Sequence, residues 1–437
     1  MRKKIILYHP ATHHERFYSF YWIPYSLLAI ASMVSDEYEV VIIDDNLEDN
    51  IVDFQSLTKN CLCVGISSMT GHQITGGLNF AGEIKKQNPN IPIIWGGPHP
   101  TILPELTITH QFVDVIILGQ GEYAFLEVVN RLKKNETLLG IESVIFKEGQ
   151  HIIHNSRAVL KDKKELPLFP FDLIDVKKYI RNDEKIGTHI LNYVSSQGCP
   201  YECAFCSEVA LYDRKWKSYG VERIMNDINY LINEGGANAI KFYDANFFVN
   251  ISTVMRFASS LVEKNYGITW AASGHPKTLN MLKEEQWRLL NQSKCSRLLI
   301  GAESGSQEAL NIIKKDITPE LVIELANKCS RFDVVGSFTF VVGFPNCTDK
   351  DEIEKTLEIA SEIRSIDSRH DVKIHFYAPY PGTPLFNEAI KAGFKIPNTL
   401  AQWAEFDYYT IETPWVDNKW EPIIHKFNYE NSPYVHL

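Results

Sequence analysis

Three of the chain's eight cysteines fall within eight residues, in Cys199-Pro200-Tyr201-Glu202-Cys203-Ala204-Phe205-Cys206. Soft thiolates gathered on one loop read first as a metal site. Structural zinc takes four ligands and commonly joins two C-x-x-C knuckles, but the sequence has no second knuckle. Cys295, Cys329 and Cys347 stand singly and read as buried, inert thiols. Three thiolates suit an iron–sulfur cluster better; its usual fourth cysteine is missing, which would leave one iron open to a substrate or cofactor. Two carboxylates sit at the ends of β-rich runs: Glu303 in Gly301-Ala302-Glu303-Ser304-Gly305, and Asp244 in Phe242-Tyr243-Asp244-Ala245-Asn246-Phe247. On the residues alone, Glu303 reads equally as a ligand carboxylate or a helix-capping one. Asp244 reads equally as a ligand or as part of an Asx-turn.

The elements that must position these residues alternate β and α. From residue 189, β-rich runs at His189–Ser195, Ala239–Tyr243, Ile268–Ala272, Arg297–Gly301, Gly336–Val342 and Val372–Tyr377 are separated by helical stretches. In one of these, Asp351–Arg364, the residues Ile353, Leu357, Ala360 and Ile363 share a face. Six such units predict a partial (β/α)6 TIM-type barrel over 189–395, with the cysteine loop at the C-terminal end of its first strand, where barrels build active sites. Residues 1–155 carry strands at Lys4–Tyr8, Glu39–Asp44, Leu62–Ser67, Ile91–Trp95 and Asp114–Leu118 and a closing hairpin, Glu142–Lys147 with His151–His154. That rhythm predicts a Rossmann-like, doubly wound parallel sheet. Residues 156–188 read as a linker, and 396–437, rich in Trp, Tyr, Pro and Asn, as a short irregular C-terminal cap. The fold class is α/β.

Composition sets limits. Apolar residues are 45% and charged residues 22%, as in a folded globular chain. With 44 basic and 54 acidic residues the net charge is −10, so a general nucleic-acid footprint is absent. The apolar run Ile23–Val34 is too short to span a bilayer, and the stretch after Arg2, Lys3 and Lys4 stops at His9 and Pro10, short of a signal-peptide core. No membrane contact and a cytoplasmic location are expected; eight cysteines are too few for a disulfide scaffold.

The C-x-x-x-C-x-x-C loop, with Phe205 before its last cysteine, resembles that of the radical S-adenosylmethionine superfamily. The resemblance implies that Cys199, Cys203 and Cys206 hold a 4Fe-4S cluster whose open iron chelates the amino and carboxylate groups of S-adenosylmethionine. An electron from the cluster then cleaves the sulfonium to a 5'-deoxyadenosyl radical. The stretch Leu298 to Gly305 resembles the superfamily's fourth-strand segment, where the glutamate meets the cofactor's ribose. The S-adenosylmethionine contacts so implied are Phe205, Asp244, Gly301, Glu303 and Ser304. Val342-Gly343-Phe344-Pro345 and Tyr377 to Pro384 end strands five and six in a similar manner. Gln197 departs from the pattern, standing where relatives often carry arginine.

A doubly wound sheet binds ligands at the C-terminal ends of its strands. Here those ends read Ser67-Ser68-Met69-Thr70-Gly71, Gly96-Gly97-Pro98-His99-Pro100-Thr101 and Gly119-Gln120-Gly121-Glu122. Such small residues let a bulky polar ligand approach the backbone. No G-x-G-x-x-G follows the first strand, so a dinucleotide site lacks its fingerprint. In this order, ahead of such a barrel, the three loop ends resemble the cobalamin-binding domain of the cobalamin-dependent radical S-adenosylmethionine enzymes. The chain is identified as a member over about residues 1–395. Implied cobalamin contacts are Ser67, Ser68, Met69, Thr70, Gly97, His99, Gly121 and Glu122. The D-x-H-x-x-G element that supplies an imidazole to cobalt elsewhere is missing. That implies cobalt without a histidine ligand and with Met69 or Thr70 near the lower face. The alternative is a vestigial sheet end that binds nothing, in which His99 serves loop hydrogen bonding alone.

The family implies an enzyme with three cofactors, a 4Fe-4S cluster, S-adenosylmethionine and cobalamin, and a flavodoxin or ferredoxin as electron donor. The expected reaction is methylation of an unactivated carbon or phosphinate centre in a small metabolite or natural product. Radical cyclisation, ring contraction, deoxygenation or dehydrogenation by the same two modules is the alternative. A cobalamin-dependent sensor or carrier has no need of an open-iron cluster. A methylthiotransferase would carry further cluster cysteines in its first module, whereas the first 198 residues hold only Cys61 and Cys63. Trp403, Trp415 and Trp420 are expected either to pack or to line a pocket, and the short tail to leave that pocket open to a larger substrate.

Overall fold

The computed structural model describes residues 2–13, 21–47, 52–183, 185–408 and 411–430. Two compact units divide the chain, one of residues 1–180 with 397–407 and one of 181–396 with 408–437.

The first unit is a sheet of β1 (Lys4–His9), β2 (Glu39–Asp44), β3 (Cys61–Ser67), β4 (Ile93–Gly96), β5 (Val115–Ile117), β6 (Val144–Glu148) and β7 (His151–His154). Their order is β2-β1-β3-β4-β5-β6-β7. β1 to β5 pair in parallel and β6 and β7 extend the sheet as an antiparallel hairpin. Both faces of the central strands are covered, which is why they read as unbroken apolar runs. Ile5 and Leu7 of β1 point into a cluster with Leu27, Phe125, Val128 and Val129. The alternate residues Ile6 and Tyr8 join Phe80, Ala81, Ile84 and Trp95 on the other face.

Residues 156–180, expected as linker, are grouped with this unit. Lys163 is buried against Glu122, and the Tyr179 hydroxyl donates to Asp44 Oδ2 at 3.0 Å. Phe169 and Phe171 meet the ring of Tyr25 edge-on. The segment's charges suggested solvent, but its lysine, tyrosine and phenylalanines are anchors. A strap, 397–407, with a short helix at Leu400–Ala404, also belongs to this unit.

The second unit starts with β8 (Arg181–Asp183), an antiparallel edge strand on β9 (Gly187–Tyr193). β10 (Ser196–Gly198) and β11 (Trp216–Ser218) form a small antiparallel pair on either side of the cysteine loop. β12 (Ala239–Phe242), β13 (Thr269–Gly274), β14 (Cys295–Glu303), β15 (Val335–Val342) and β16 (Asp371–Phe376) follow. The order is β16-β15-β14-β13-β12-β9-β8, parallel from β9 to β16, with β8 and β16 as edges. The barrel is therefore partial.

The last stretch is not wholly irregular: a helix covers Trp420–Glu430. Pro422 lies in its first turn, where a missing N–H breaks no helical bond. Asn428 receives the Ile374 N–H at 2.9 Å and donates to the Ile374 carbonyl at 2.7 Å, satisfying open backbone groups of the edge strand β16. No described helix is long and apolar enough to cross a membrane.

Candidate functional site

β9 delivers the chain through Ser195 and Ser196 to β10 and the cysteine loop. Gly198, with φ of 83°, sits where a side chain would collide with the Lys215 carbonyl, so only glycine turns the chain into Cys199 here. The loop's middle is bolted at two points: Ala204 N–H donates to Ile313 O at 2.8 Å, and Leu385 N–H donates to Ala204 O at 3.1 Å. Cys203 is buried, while Cys199 and Cys206 are partly exposed. Burial pushes all three thiols up, Cys206 to about 12, and the three feel one another electrostatically. Such thiols ionise when a cation compensates for the loss of the proton. Among the described residues no three His, Cys, Asp or Glu side chains converge closely enough for a single metal ion. A cluster holds its thiolates at separate corners, so this donor set, three thiols without a fourth, fits a cluster with one open iron.

β14 brings Glu303 to the same end of the barrel. The β14–β15 register shifts between Gly301 and Glu303, and Glu303 has φ of 64°, a left-handed conformation uncommon outside glycine. Backbone strain of this kind clusters at functional sites. The carboxylate folds back over Gly301, where a Cβ would collide with Oε1. Oε1 accepts from Lys315 Nζ at 2.6 Å, and the two side chains are only 7% and 8% exposed. Burial pulls the Lys315 ammonium down, but Glu303 and the thiols of Cys203 and Cys206 more than offset this, leaving its pKa above the ordinary lysine value.

The other expected contacts have structural duties. Asp244 is buried; it accepts from Ser195 N–H at 3.1 Å and Ser195 Oγ at 2.6 Å, and also from Ser196 Oγ. It thus fixes the approach to Cys199 instead of presenting a free carboxylate, and burial raises its pKa. Ser304 is fully buried and donates to Glu352 Oε1 at 3.2 Å. Glu352 Oε2 accepts from Gly343 N–H at 3.1 Å, and burial pushes this acid up to about 7. The Phe205 ring lies 6.1 Å from Phe344, which is 5.5 Å from Tyr377, so the ends of β15 and β16 meet the cysteine loop. Lys315 and Glu352 were not singled out in the sequence, because each sits in a charged run that reads as surface.

At the ligand edge of the first sheet, Gly97 has φ of 95°, and a Cβ there would lie 2.9 Å from both Ser68 N and Ser68 O. The loops after β3 and β4 interlock: His99 N–H donates to Ser68 O at 3.0 Å, and Thr70 Oγ1 lies 3.1 Å from His99 Nδ1. Thr101, also missed in the sequence, joins them to the β5 loop by accepting from Gly119 N–H at 2.9 Å. His99 is fully buried, its Nε2 has no hydrogen-bond partner, and burial pulls the imidazole down to about 4. Met69 is half exposed. The strap adds Trp403, 6.3 Å from the His99 ring, and Phe406, whose carbonyl lies 2.8 Å from where a Cβ on Gly71 would stand. Gly121 only opens the helix Glu122–Lys134. Glu122 is buried in its 2.6 Å pair with Lys163 and tethers the 156–180 segment. The glycine-walled loops and the orphaned buried imidazole nitrogen fit a large ligand rich in polar groups such as a corrinoid.

Residues 18–129 match the B12 binding domain, and residues 193–360 match the radical SAM superfamily. An uncharacterized methyltransferase of Pyrococcus horikoshii is 30% identical over 372 residues, covering 84% of this chain and 78% of the relative. The chain belongs to the cobalamin-dependent radical S-adenosylmethionine enzymes. The cofactors of that family are a 4Fe-4S cluster, S-adenosylmethionine and cobalamin. An anaerobic magnesium-protoporphyrin IX monomethyl ester cyclase of Synechocystis is 22% identical, with 76% of this chain and 66% of the relative covered. The solved structure of the radical S-adenosylmethionine methyltransferase TsrM from Kitasatospora setae, with cobalamin and a 4Fe-4S cluster bound, superposes with a TM-score of 0.70. It covers 90% of this chain and 79% of TsrM at 14% identity. The cobalamin-dependent radical enzyme OxsB gives 0.69, covering 84% of this chain and 55% of OxsB at 17% identity. At such identities these two likenesses show that this radical enzyme shares their fold.

Proposed function

We propose that this radical enzyme is a methyltransferase acting on an unactivated carbon or phosphinate centre of a small metabolite or natural product. The observation that carries the reading is the presence, in one chain, of a three-thiol loop lacking a fourth cysteine and a corrin-type strand edge. When bound, the cluster supplies the electron that cleaves S-adenosylmethionine, and the corrinoid supplies a carrier for the methyl group. The chain's residues supply the rest. Cys199, Cys203 and Cys206 hold iron, Glu303 accepts hydrogen bonds from ribose hydroxyls, and Asp244 holds the Ser195-Ser196 turn that aims Cys199. Phe205 and Phe344 keep water from the loop, and Gly97 lets the loop after β4 close on the Ser68 backbone to shape the corrin edge. A flavodoxin or ferredoxin in a reducing cytoplasm would deliver the electron.

The test is incubation of the reduced, cofactor-loaded full chain with methyl-deuterated S-adenosylmethionine. Methyl transfer requires deuterated methyl in the corrinoid fraction, with a matching quantity of S-adenosylhomocysteine. Formation of 5'-deoxyadenosine with no label in the corrinoid would overturn it. That outcome favours cyclisation or another non-methylating reaction, a second reading supported by the similarity to the Synechocystis cyclase.

A further inference from the structure

A lysine ammonium is costly to bury, and an apolar residue of similar size would serve packing at least as well. Lys315 is nevertheless buried, and its 2.6 Å contact with Glu303 is the ion pair it makes. Its segment is fixed to the cysteine loop two residues earlier, through Ile313 O and the Ala204 N–H. Its charge reaches Cys199, Cys203 and Cys206. Gly301 leaves the room that the arrangement needs: a Cβ there would stand 3.0 Å from Lys315 Nζ and collide with Glu303 Oε1.

We propose that Lys315 is a positioning residue with two effects, holding the Glu303 carboxylate in its left-handed turn and raising the reduction potential of the cluster held by the three cysteines. The second effect follows from Coulomb's law in a site of low dielectric. The reduced cluster carries one more negative charge than the oxidised one, so a fixed positive charge beside its thiolates favours reduction. Glu303 tempers that effect, since its own charge opposes the lysine's. The inference rests on the cluster reading above.

The experiment uses the anaerobically reconstituted full chain as wild type, Lys315→Gln, Lys315→Arg and Glu303→Gln. Iron and sulfide are counted first, and the cluster is then titrated by electron paramagnetic resonance at a series of potentials without S-adenosylmethionine. Lys315→Gln should lower the reduced-to-oxidised ratio at a fixed potential about tenfold, a shift of about 59 mV for one electron. Lys315→Arg should restore most of that loss, and Glu303→Gln should shift the ratio in the opposite direction. Equal ratios in all four proteins at equal iron content overturn the inference and leave the cluster reading intact. A wild type that takes up no iron overturns both. If Lys315→Gln fails to hold a cluster, the double variant Lys315→Gln/Glu303→Gln, which leaves no unpaired buried charge, is compared with Glu303→Gln: a lower ratio in the double variant supports the inference, and an equal ratio overturns it.

Discussion

Tyr201, inside the cysteine loop, lies face to face on His275 at the end of β13, with ring centroids 3.6 Å apart and planes 8° from parallel. Its hydroxyl is 2.6 Å from Thr278 Oγ1, and His275 Nδ1 accepts from the Lys277 N–H at 3.3 Å. Burial pulls the imidazole down to about 2, so a neutral ring stacks on the tyrosine at all physiological pH. The stack fixes the stretch between Cys199 and Cys203. Tyr201→Ala removes an aromatic pair worth roughly 0.5–1.5 kcal/mol beyond its burial, together with a half-buried hydrogen bond. Iron and sulfide per chain after reconstitution should fall by about half or more, and Tyr201→Phe should keep most of the cluster. Full cluster content in Tyr201→Ala would show that the loop needs no such support.

Glu303 carries the expected contact to S-adenosylmethionine. A buried charge-assisted hydrogen bond is worth roughly 1.5–3 kcal/mol, so Glu303→Gln should weaken binding by about tenfold or more. Equilibrium dialysis against the cluster-loaded protein measures this directly. Unchanged affinity would remove Glu303 from the site.

Gly97 tests the corrin edge. An alanine there meets the Ser68 backbone at 2.9 Å on two sides and must also adopt φ near 95°. The strain, of order 1–3 kcal/mol, falls on the loop that carries His99. Gly97→Ala should abolish corrinoid uptake, read from the visible spectrum after desalting, and should lower the unfolding midpoint in urea. Uptake equal to that of wild type would argue that the corrinoid binds elsewhere.

Cobalt is expected to lack a histidine ligand. The His99 ring is fully buried, with Thr70 at one nitrogen and Trp403 beside it, and its main chain is tied to Ser68 O, so it is held as part of the loop packing. Electron paramagnetic resonance of the Co(II) form should show no nitrogen splitting from the protein, and His99→Phe should leave the spectrum unchanged. A splitting that disappears in His99→Phe would contradict this.

The parallel strands were legible because burial on both faces makes each an apolar run, as in Ile5-Ile6-Leu7 of β1. The cysteine loop was legible from spacing alone. Other features depend on partners distant in sequence. Lys315 sits in Lys314-Lys315-Asp316, a charged run whose middle member turns inward only because Glu303, twelve residues earlier, awaits it. Lys163 looked like linker charge until Glu122 claimed it. Trp403 read equally as packing or pocket, since nothing local shows that it meets His99, some three hundred residues earlier. Local patterns report burial and periodicity, and they are silent on which buried charge finds which partner.

Glu352 gives the site a stability that depends on pH. Burial raises its pKa from 4.5 to about 7, so between those values the folded chain binds more protons than the unfolded chain. Stability contributed by this group is therefore fully present below about pH 4.5, falls as pH rises toward 7, and is level above that. Glu352→Gln mimics the protonated acid: its amide oxygen can accept from Gly343 N–H while its amide nitrogen donates to Ser304 Oγ, in place of the bonds the carboxylate accepts. The variant should match wild type near pH 4.5 and exceed it at pH 8 by roughly 3 kcal/mol, which is about 6–12 °C in Tm for a unit of this size. Thermal scans of both proteins at several pH values measure the difference, which isolates this one group because every other titrating residue is shared. A gap that stays constant from pH 4.5 to 8 would mean that Glu352 ionises like a surface glutamate and that its bond to Ser304 comes at no electrostatic cost.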